Sequence, residues 1–183
     1  MIKLLGISGS LRQQSLNTAL LHAMQERATS GVQIEVATLH GIPLYDGDLE
    51  AASGIPDAVS TLKQKIIASH GVILASPEYN GSVPGVLKNA IDWLSRPPAD
   101  IAQVFNDRAF TVIGATPSGF GTILAQDAWL TVLRQLGTRY WTGGKLLLSR
   151  AHDAFDDKGK LINDRSKEDV QKFIQGFAQF AEH

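Results

Sequence analysis

The feature that most constrains the fold is a repeated alternation of short apolar runs with longer helical patterns. The run at residues 2–7 is almost continuously apolar, and so is the run at residues 71–76. Strands of this kind are buried on both faces, as in a parallel sheet. Because the β-α order recurs along the whole chain, the sequence predicts an α/β fold, with a parallel sheet, helices on both of its faces and right-handed crossovers.

The pattern places five strands and five helices along the chain. The strands are expected at residues 2–7, 32–38, 71–76, 109–115 and within 145–149. The helices are expected over residues 15–29, from Pro56, from Val83 or Pro84 to just before Arg96, from after residue 121 to about residue 136, and from Ser166. The second strand alternates apolar and polar residues, which is typical of an edge strand. No linker or internal repeat is visible, so residues 1–183 are expected to form a single domain.

Composition excludes several classes of protein. A net charge of −1 without a run of like charges gives no electrostatic footprint for nucleic acid or an anionic membrane. Without cysteine there is no disulfide, thiol nucleophile or cysteine-ligated metal, and the five histidines lack ligand spacing, so no metal site is expected. The apolar start is too short for a signal peptide or a membrane span, and the cytoplasm is the expected location.

The loop after the first strand has the composition of a phosphate-binding loop. Unpaired N–H groups at the start of a helix, together with the helix dipole, attract anions. The short polar side chains and the arginine of this loop are Ser10, Arg12, Ser15 and Asn17. A guanidinium group forms a fork suited to phosphate. The alternative is an ordinary connection in which Ser15 only caps the helix and Arg12 is solvated. Neither a P-loop nor a Gly-x-Gly-x-x-Gly pattern is present.

Three unusual loops follow the first, third and fourth strands, at residues 9–17, 77–82 and 116–121. In strand order 2-1-3-4-5 these strands are neighbours, so their loops converge where open sheets bind ligands. Tyr79 offers an aromatic face, and the third loop, with Ser118 and two glycines, offers backbone N–H groups. Together the loops predict a site for a flat ligand that carries phosphate.

Two side chains of the second loop also have simpler interpretations. Tyr79 can pack at the base of the loop, and Glu78 can form a salt bridge or contact a partner chain. A hydrolase is not expected, because Ser10, Ser15 and Ser118 have no evident His and Asp partners.

Two motifs resemble the NADPH-dependent FMN reductase family. They are Gly9-Ser10-Leu11-Arg12-x-x-Ser15-x-Asn17 and Ser76-Pro77-Glu78-Tyr79-Asn80-Gly81-Ser82-Val83-Pro84-Gly85-Val86-Leu87-Lys88-Asn89-Ala90-Ile91-Asp92-Trp93. The resemblance extends to about the fourth helix, and residues after about 145 carry little of it. It implies a flavodoxin-like three-layer α/β/α sandwich with a five-stranded parallel sheet. It also implies bound FMN and the reduction of quinones, free flavin, azo dyes or metal oxyanions by NADPH or NADH.

The resemblance further implies which residues bind FMN. The phosphate would be held by the side chains of Ser10, Arg12, Ser15 and Asn17 and by the backbone of Leu16. The edge of the isoalloxazine ring would be lined by Pro77, Glu78, Tyr79, Asn80 and Gly81, with Ser118 in the third loop. Short-chain flavodoxins have a Thr/Ser-rich phosphate loop without arginine, so Arg12 favours a reductase over a simple electron carrier.

A flavin enzyme needs no dedicated catalytic side chain, because the cofactor supplies the hydride chemistry. We therefore expect ping-pong kinetics with NAD(P)H and a small oxidant. Two alternatives are a non-enzymatic flavodoxin-like electron-transfer or binding module and a structural or regulatory protein that keeps the fold without a cofactor. The net charge of −1 disfavours the electron carrier, since such carriers are usually acidic to steer their partners.

The resemblance also implies a homodimer or homotetramer with FMN near the interface. If Trp93 and Leu94 face outward, they would suit a symmetric helix–helix interface. The alternative is that Trp93 packs on the sheet.

Overall fold

The computed structural model describes residues 1–182 and contains a parallel sheet between two layers of helices. The strands are β1 (Ile2–Ser8), β2 (Val32–Ala37), β3 (Gly71–Ala75), β4 (Ala109–Ala115), β5 (Arg139–Tyr140) and β6 (Leu147–Leu148). Their order is β2-β1-β3-β4-β5, with β6 also paired to β4, and every pair is parallel. The predicted flavodoxin-like sandwich and the edge position of β2 are confirmed.

Helices cover both faces of the sheet. They are α1 (Leu16–Glu26), α2 (Gly47–Ser53), α3 (Asp57–Ala68), α4 (Gly85–Leu94), α5 (Ile101–Val104), α6 (Ile123–Gln135) and α7 (Asp164–Ala181). Since successive strand residues point to opposite faces, Leu4 and Ile73 pack with α1 and α7. Leu5 and Val72 pack on the other face with α3, α4 and α6. Within residues 1–182, none of these helices combines the length and apolar character needed to span a bilayer.

The fifth strand position differs from the prediction. Only β6 lies in the expected range of 145–149, while β5 is formed earlier in the chain. The cause is Trp141, which is buried beside Phe173 with their ring centroids 4.9 Å apart. Added Cβ atoms at Gly143 and Gly144 would lie 2.5 and 2.7 Å from the indole, so the chain wraps closely around this ring. The strand is therefore interrupted to bury a tryptophan.

Several local predictions are also corrected. The cap of α7 is Asn163, whose side chain accepts a hydrogen bond of 2.9 Å from the N–H of Ser166, so Ser166 itself is not the cap. The sequence does not predict the short helices α2 and α5, because neither segment has a clear apolar periodicity. Trp93 and Leu94 do not face outward, since their exposures are 0% and 1%, and the alternative, in which Trp93 packs on the sheet, is confirmed. The indole N–H of Trp93 donates to the carbonyl of Pro43 at 2.9 Å.

Candidate functional site

The first loop joins β1 to α1 and leaves several hydrogen-bond donors available. The Oγ of Ser15 caps α1 by accepting from the N–H of Thr18 at 3.3 Å, and the Oγ of Ser10 accepts from the N–H of Arg12, also at 3.3 Å. Because each hydroxyl is an acceptor here, its own proton remains available for an anion. Within residues 1–182, the first-turn N–H of Leu16 has no acceptor. These donors suit a phosphate group.

Two further residues of this loop have different surroundings. Arg12 is exposed and forms no ion pair with any residue in the described part of the chain, so its guanidinium group can meet a ligand. Asn17 is buried, and its side-chain amide is engaged with the backbone of Ala115 through two hydrogen bonds of 2.9 and 3.0 Å. Asn17 can therefore offer a ligand its backbone N–H and the second hydrogen of Nδ2.

The second loop follows β3 and contains a tight two-residue turn. The N–H groups of Tyr79 and Ser82 each donate to the other residue's carbonyl at 3.1 Å. Between them, Asn80 and Gly81 have φ values of 52° and 70°, as in a type I′ turn. The turn projects Asn80 and Gly81 into solvent and leaves Tyr79 47% exposed. Pro77, at the start of the loop, is buried.

The third loop follows β4 and is braced by the segment after β6. The hydroxyl groups of Thr116 and Ser118 lie 3.2 Å apart, and Thr116 Oγ1 also accepts from the N–H of Ser118. The carbonyl of Ser118 accepts from the N–H of Arg150 at 2.9 Å. Ser118 is exposed, so its hydroxyl can reach a ligand at the carboxyl end of the sheet.

The three loops meet through specific contacts. The N–H of Gly9 donates to the carbonyl of Ala75 at 2.8 Å, which joins the first loop to the end of β3. A Cβ on Gly9 would lie 2.9 Å from that same oxygen, so only glycine fits there. The Glu78 carboxylate accepts from the N–H groups of Leu124 and Ala125 at 2.9 and 3.1 Å, which joins the second loop to the segment after the third.

Some residues at this edge have no signal in the sequence. Arg150 is exposed and has a left-handed backbone, and its N–H donates to Ser118 in the third loop. Phe120, in the third loop, and Leu124, which lies against Gly81 of the second, are 78% and 54% exposed and add apolar surface at this edge. Their placement depends on long-range packing that composition alone does not reveal.

A charged network holds the segment after β2 against α4. The Arg96 guanidinium donates to Glu50 at 2.9 Å, and the hydroxyl of Tyr45 donates to the same carboxylate at 3.0 Å. The hydrogen bond from Arg96 lowers the pKa of Glu50. The hydrogen bond to Glu50 raises the pKa of Tyr45. The network fixes α4, whose first turn follows the second loop.

The residues present fit a flavin mononucleotide. The first loop gathers free hydroxyl protons, an unpaired N–H and a free guanidinium group, which match the donor needs of a phosphate dianion. Among residues 1–182 no three His, Asp or Glu side chains are grouped closely enough to hold a metal ion. A parallel sheet with such a loop at its switch point defines a flavodoxin-like, mononucleotide-binding protein.

Comparison with known proteins identifies the family within that class. The model of the NADPH-dependent FMN reductase family matches residues 2–153. An NAD(P)H-dependent FMN reductase of Pseudomonas aeruginosa is 41% identical over 174 residues, which cover 95% of this chain and 92% of that protein. A quinone reductase of Pseudomonas putida is 33% identical, with 95% of this chain and 91% of the relative covered.

A solved structure supports the same family assignment. The flavoenzyme NAD(P)H:(acceptor) oxidoreductase FerB from Paracoccus denitrificans has a TM-score of 0.88 at 30% identity, covering 100% of this chain and 98% of the other. The chain therefore belongs to the NADPH-dependent FMN reductase family, and it is an oxidoreductase that uses FMN and NAD(P)H.

Proposed function

We propose that this protein uses FMN at the junction of its three loops to transfer electrons from NAD(P)H to quinones, flavins or similar small acceptors. The observation that carries the proposal is the set of free donors at the start of α1, beside two loops that leave Tyr79 and Ser118 exposed. The relatives that are named quinone reductases support the choice of a quinone as acceptor.

Each loop has a separate role in this proposal. The hydroxyl groups of Ser10 and Ser15, the guanidinium group of Arg12 and the backbone N–H groups of Leu16 and Asn17 bind the phosphate. The second and third loops hold the ring, and they do so through Pro77, Glu78, Tyr79, Asn80, Gly81 and Ser118. Backbone N–H groups of these loops stabilise negative charge near the ring.

The chemistry that FMN supplies when bound is hydride acceptance from NAD(P)H and electron delivery to the acceptor. The protein binds the phosphate, orients the ring and leaves one face open. Since NAD(P)H and the oxidant are expected to use that same open face in turn, initial rates should follow a ping-pong pattern. Double-reciprocal plots at several acceptor concentrations should then give parallel lines, and intersecting lines would contradict the pattern.

We further propose that residues 1–183 act as one domain and that the protein assembles into a homodimer or homotetramer in the cytoplasm. Phe120, Leu124 and Tyr79 are exposed apolar residues beside the ligand site and suit a covering second copy. The cytoplasm is where reduced nicotinamide is supplied. Light scattering at micromolar concentration that gives the mass of a single chain would contradict the proposed assembly.

The direct test is an anaerobic visible spectrum of the purified protein with FMN, followed by NADPH or NADH and then a quinone. We expect the flavin absorbance to bleach with a nicotinamide and to return with the quinone. Binding without bleaching by either nicotinamide would favour an electron-transfer module instead. Absence of FMN binding would overturn the proposed site.

A further inference from the structure

Helix α6 begins without a cap of its own. The residue before it, Thr122, has a left-handed backbone with φ 65° and ψ 29°, and its side chain makes no capping hydrogen bond. Its Oγ1 instead accepts from the side-chain amide of Gln126 at 3.3 Å. The first N–H groups of a helix need an outside acceptor when they are shielded from water.

That acceptor is Glu78, which belongs to the second loop. Its Oε2 accepts from the N–H of Leu124 at 2.9 Å and from the N–H of Ala125 at 3.1 Å. A carboxylate at a helix N-terminus is stabilised by charge-assisted hydrogen bonds from the backbone N–H groups and by the helix dipole. A residue 46 positions earlier in the chain therefore supplies the cap of α6.

This contact fixes the third loop against the second. The third loop ends where α6 begins, so the position of α6 sets the path of residues 116–122. The Cδ1 of Leu124 lies 3.5 Å from where a Cβ on Gly81 would be, which places the first turn of α6 directly against the type I′ turn. With its carboxylate engaged in this way, Glu78 neither forms a salt bridge within residues 1–182 nor presents Oε2 to a ligand.

We propose that Glu78 is a positioning residue, which holds the second and third loops at the spacing that the flavin ring requires by capping α6. The proposal rests on the proposed FMN site and assigns Glu78 a role different from lining the ring with its carboxylate. Loss of the carboxylate frees the start of α6 and the third loop, while the phosphate-binding donors of the first loop stay in place. Loss of the Glu78 carboxylate should therefore weaken binding of the flavin ring and leave phosphate binding unchanged.

Flavins with and without phosphate separate these two parts of the site. Dissociation constants for FMN and riboflavin are measured by quenching of flavin fluorescence with the wild type, Glu78→Ala, Glu78→Gln and Asn163→Ala. We expect Glu78→Ala to weaken both flavins by the same factor, about tenfold, as for the loss of hydrogen bonds to a charged group. Glu78→Gln keeps an oxygen acceptor and should restore most of the affinity.

Asn163→Ala is the matched control. It removes the cap of α7, where Asn163 accepts from the N–H of Ser166 at 2.9 Å, and it should lower the melting temperature without changing either dissociation constant. If Glu78→Ala binds both flavins as tightly as the wild type, or loses FMN but not riboflavin, the positioning role is wrong. If the wild type itself binds neither flavin, the proposed function fails instead. Should Glu78→Ala not fold, Glu78→Gln gives the test: near wild-type affinity, with any small loss equal for FMN and riboflavin, supports the role, and a loss for FMN alone contradicts it.

Discussion

The side chain of Asn17 and the backbone of Ala115 form a closed pair of hydrogen bonds. Asn17 Nδ2 donates to the Ala115 carbonyl at 3.0 Å, and the Ala115 N–H donates to Asn17 Oδ1 at 2.9 Å. The pair joins the first turn of α1 to the last residue of β4, and Asn17 is 4% exposed. The phosphate-binding loop is thereby locked to the strand that leads into the third loop.

Breaking this pair should reduce stability in a charge-dependent way. Asn17→Ala leaves a buried N–H and carbonyl without partners, which costs about 1–3 kcal/mol of the free energy of unfolding. Asn17→Asp should cost more, because a carboxylate has no proton to give to the Ala115 carbonyl and is repelled by it. Urea unfolding of both variants measures the difference. An Asn17→Asp variant as stable as the wild type would contradict this account.

Arg12 should contribute to FMN binding only through the phosphate. Arg12→Ala is expected to weaken FMN binding by about 10- to 100-fold, the range for charge-assisted hydrogen bonds, and to leave riboflavin binding unchanged. The FMN affinity of Arg12→Lys should lie between those of the wild type and Arg12→Ala, since lysine keeps the positive charge but lacks the forked guanidinium group. Fluorescence titration with the two flavins gives the comparison. Arg165→Ala, which alters an exposed arginine on α7, is the control, and equal losses in both variants would refute a specific role.

Gly9 should not tolerate a side chain. A Cβ there would lie 2.9 Å from the Ala75 carbonyl, from Pro77 Cδ and from Leu87 Cδ2, so Gly9→Ala should destabilise the fold by about 1–3 kcal/mol. It should also weaken FMN binding, because the first loop must shift. Gly85→Ala is the matched control: a Cβ there meets nothing within 4 Å, and alanine favours a helix. Chemical unfolding that ranks Gly85→Ala as the less stable variant would disprove the steric argument.

The Glu50–Arg96 pair should make the stability of the fold depend on pH in the acidic range. Because Arg96 lowers the pKa of Glu50, this stabilising contribution is present above the usual carboxyl range and is lost as the pH falls through the lowered pKa. Glu50→Gln should therefore flatten the decline in melting temperature between about pH 5 and pH 3. The exposed Glu168 on α7 gives the control variant Glu168→Gln, whose profile should follow the wild type. If the melting temperature of Glu50→Gln falls with pH as steeply as that of the wild type, the Glu50–Arg96 pair does not contribute to acid sensitivity.

Much of the fold followed from local patterns. Continuous apolar runs identified the buried strands, and their alternation with helices required a parallel sheet, whose order then brought three loops to one edge. These features depend on neighbouring residues, so a sequence read in order reveals them.

Long-range contacts account for what the sequence did not reveal. The engagement of Asn17 with Ala115 and of Glu78 with α6 joins residues 98 and 46 positions apart. The hydrogen bond from Trp93 to the carbonyl of Pro43 joins residues 50 positions apart. The ligand-binding roles assigned to the loop residues stay predictions until flavin binding is measured.

The interruption between β5 and β6 also affects how this protein resists aggregation. A long unpaired strand at the edge of a sheet offers a ladder of N–H and carbonyl groups to which another chain can add a strand. Here that edge is divided into two pieces of 2 residues each, while the chain between them curls around Trp141. An incoming strand finds too few consecutive partners there, so sheet extension is blocked on this side, and β2 is left as the edge with the longer run of strand residues.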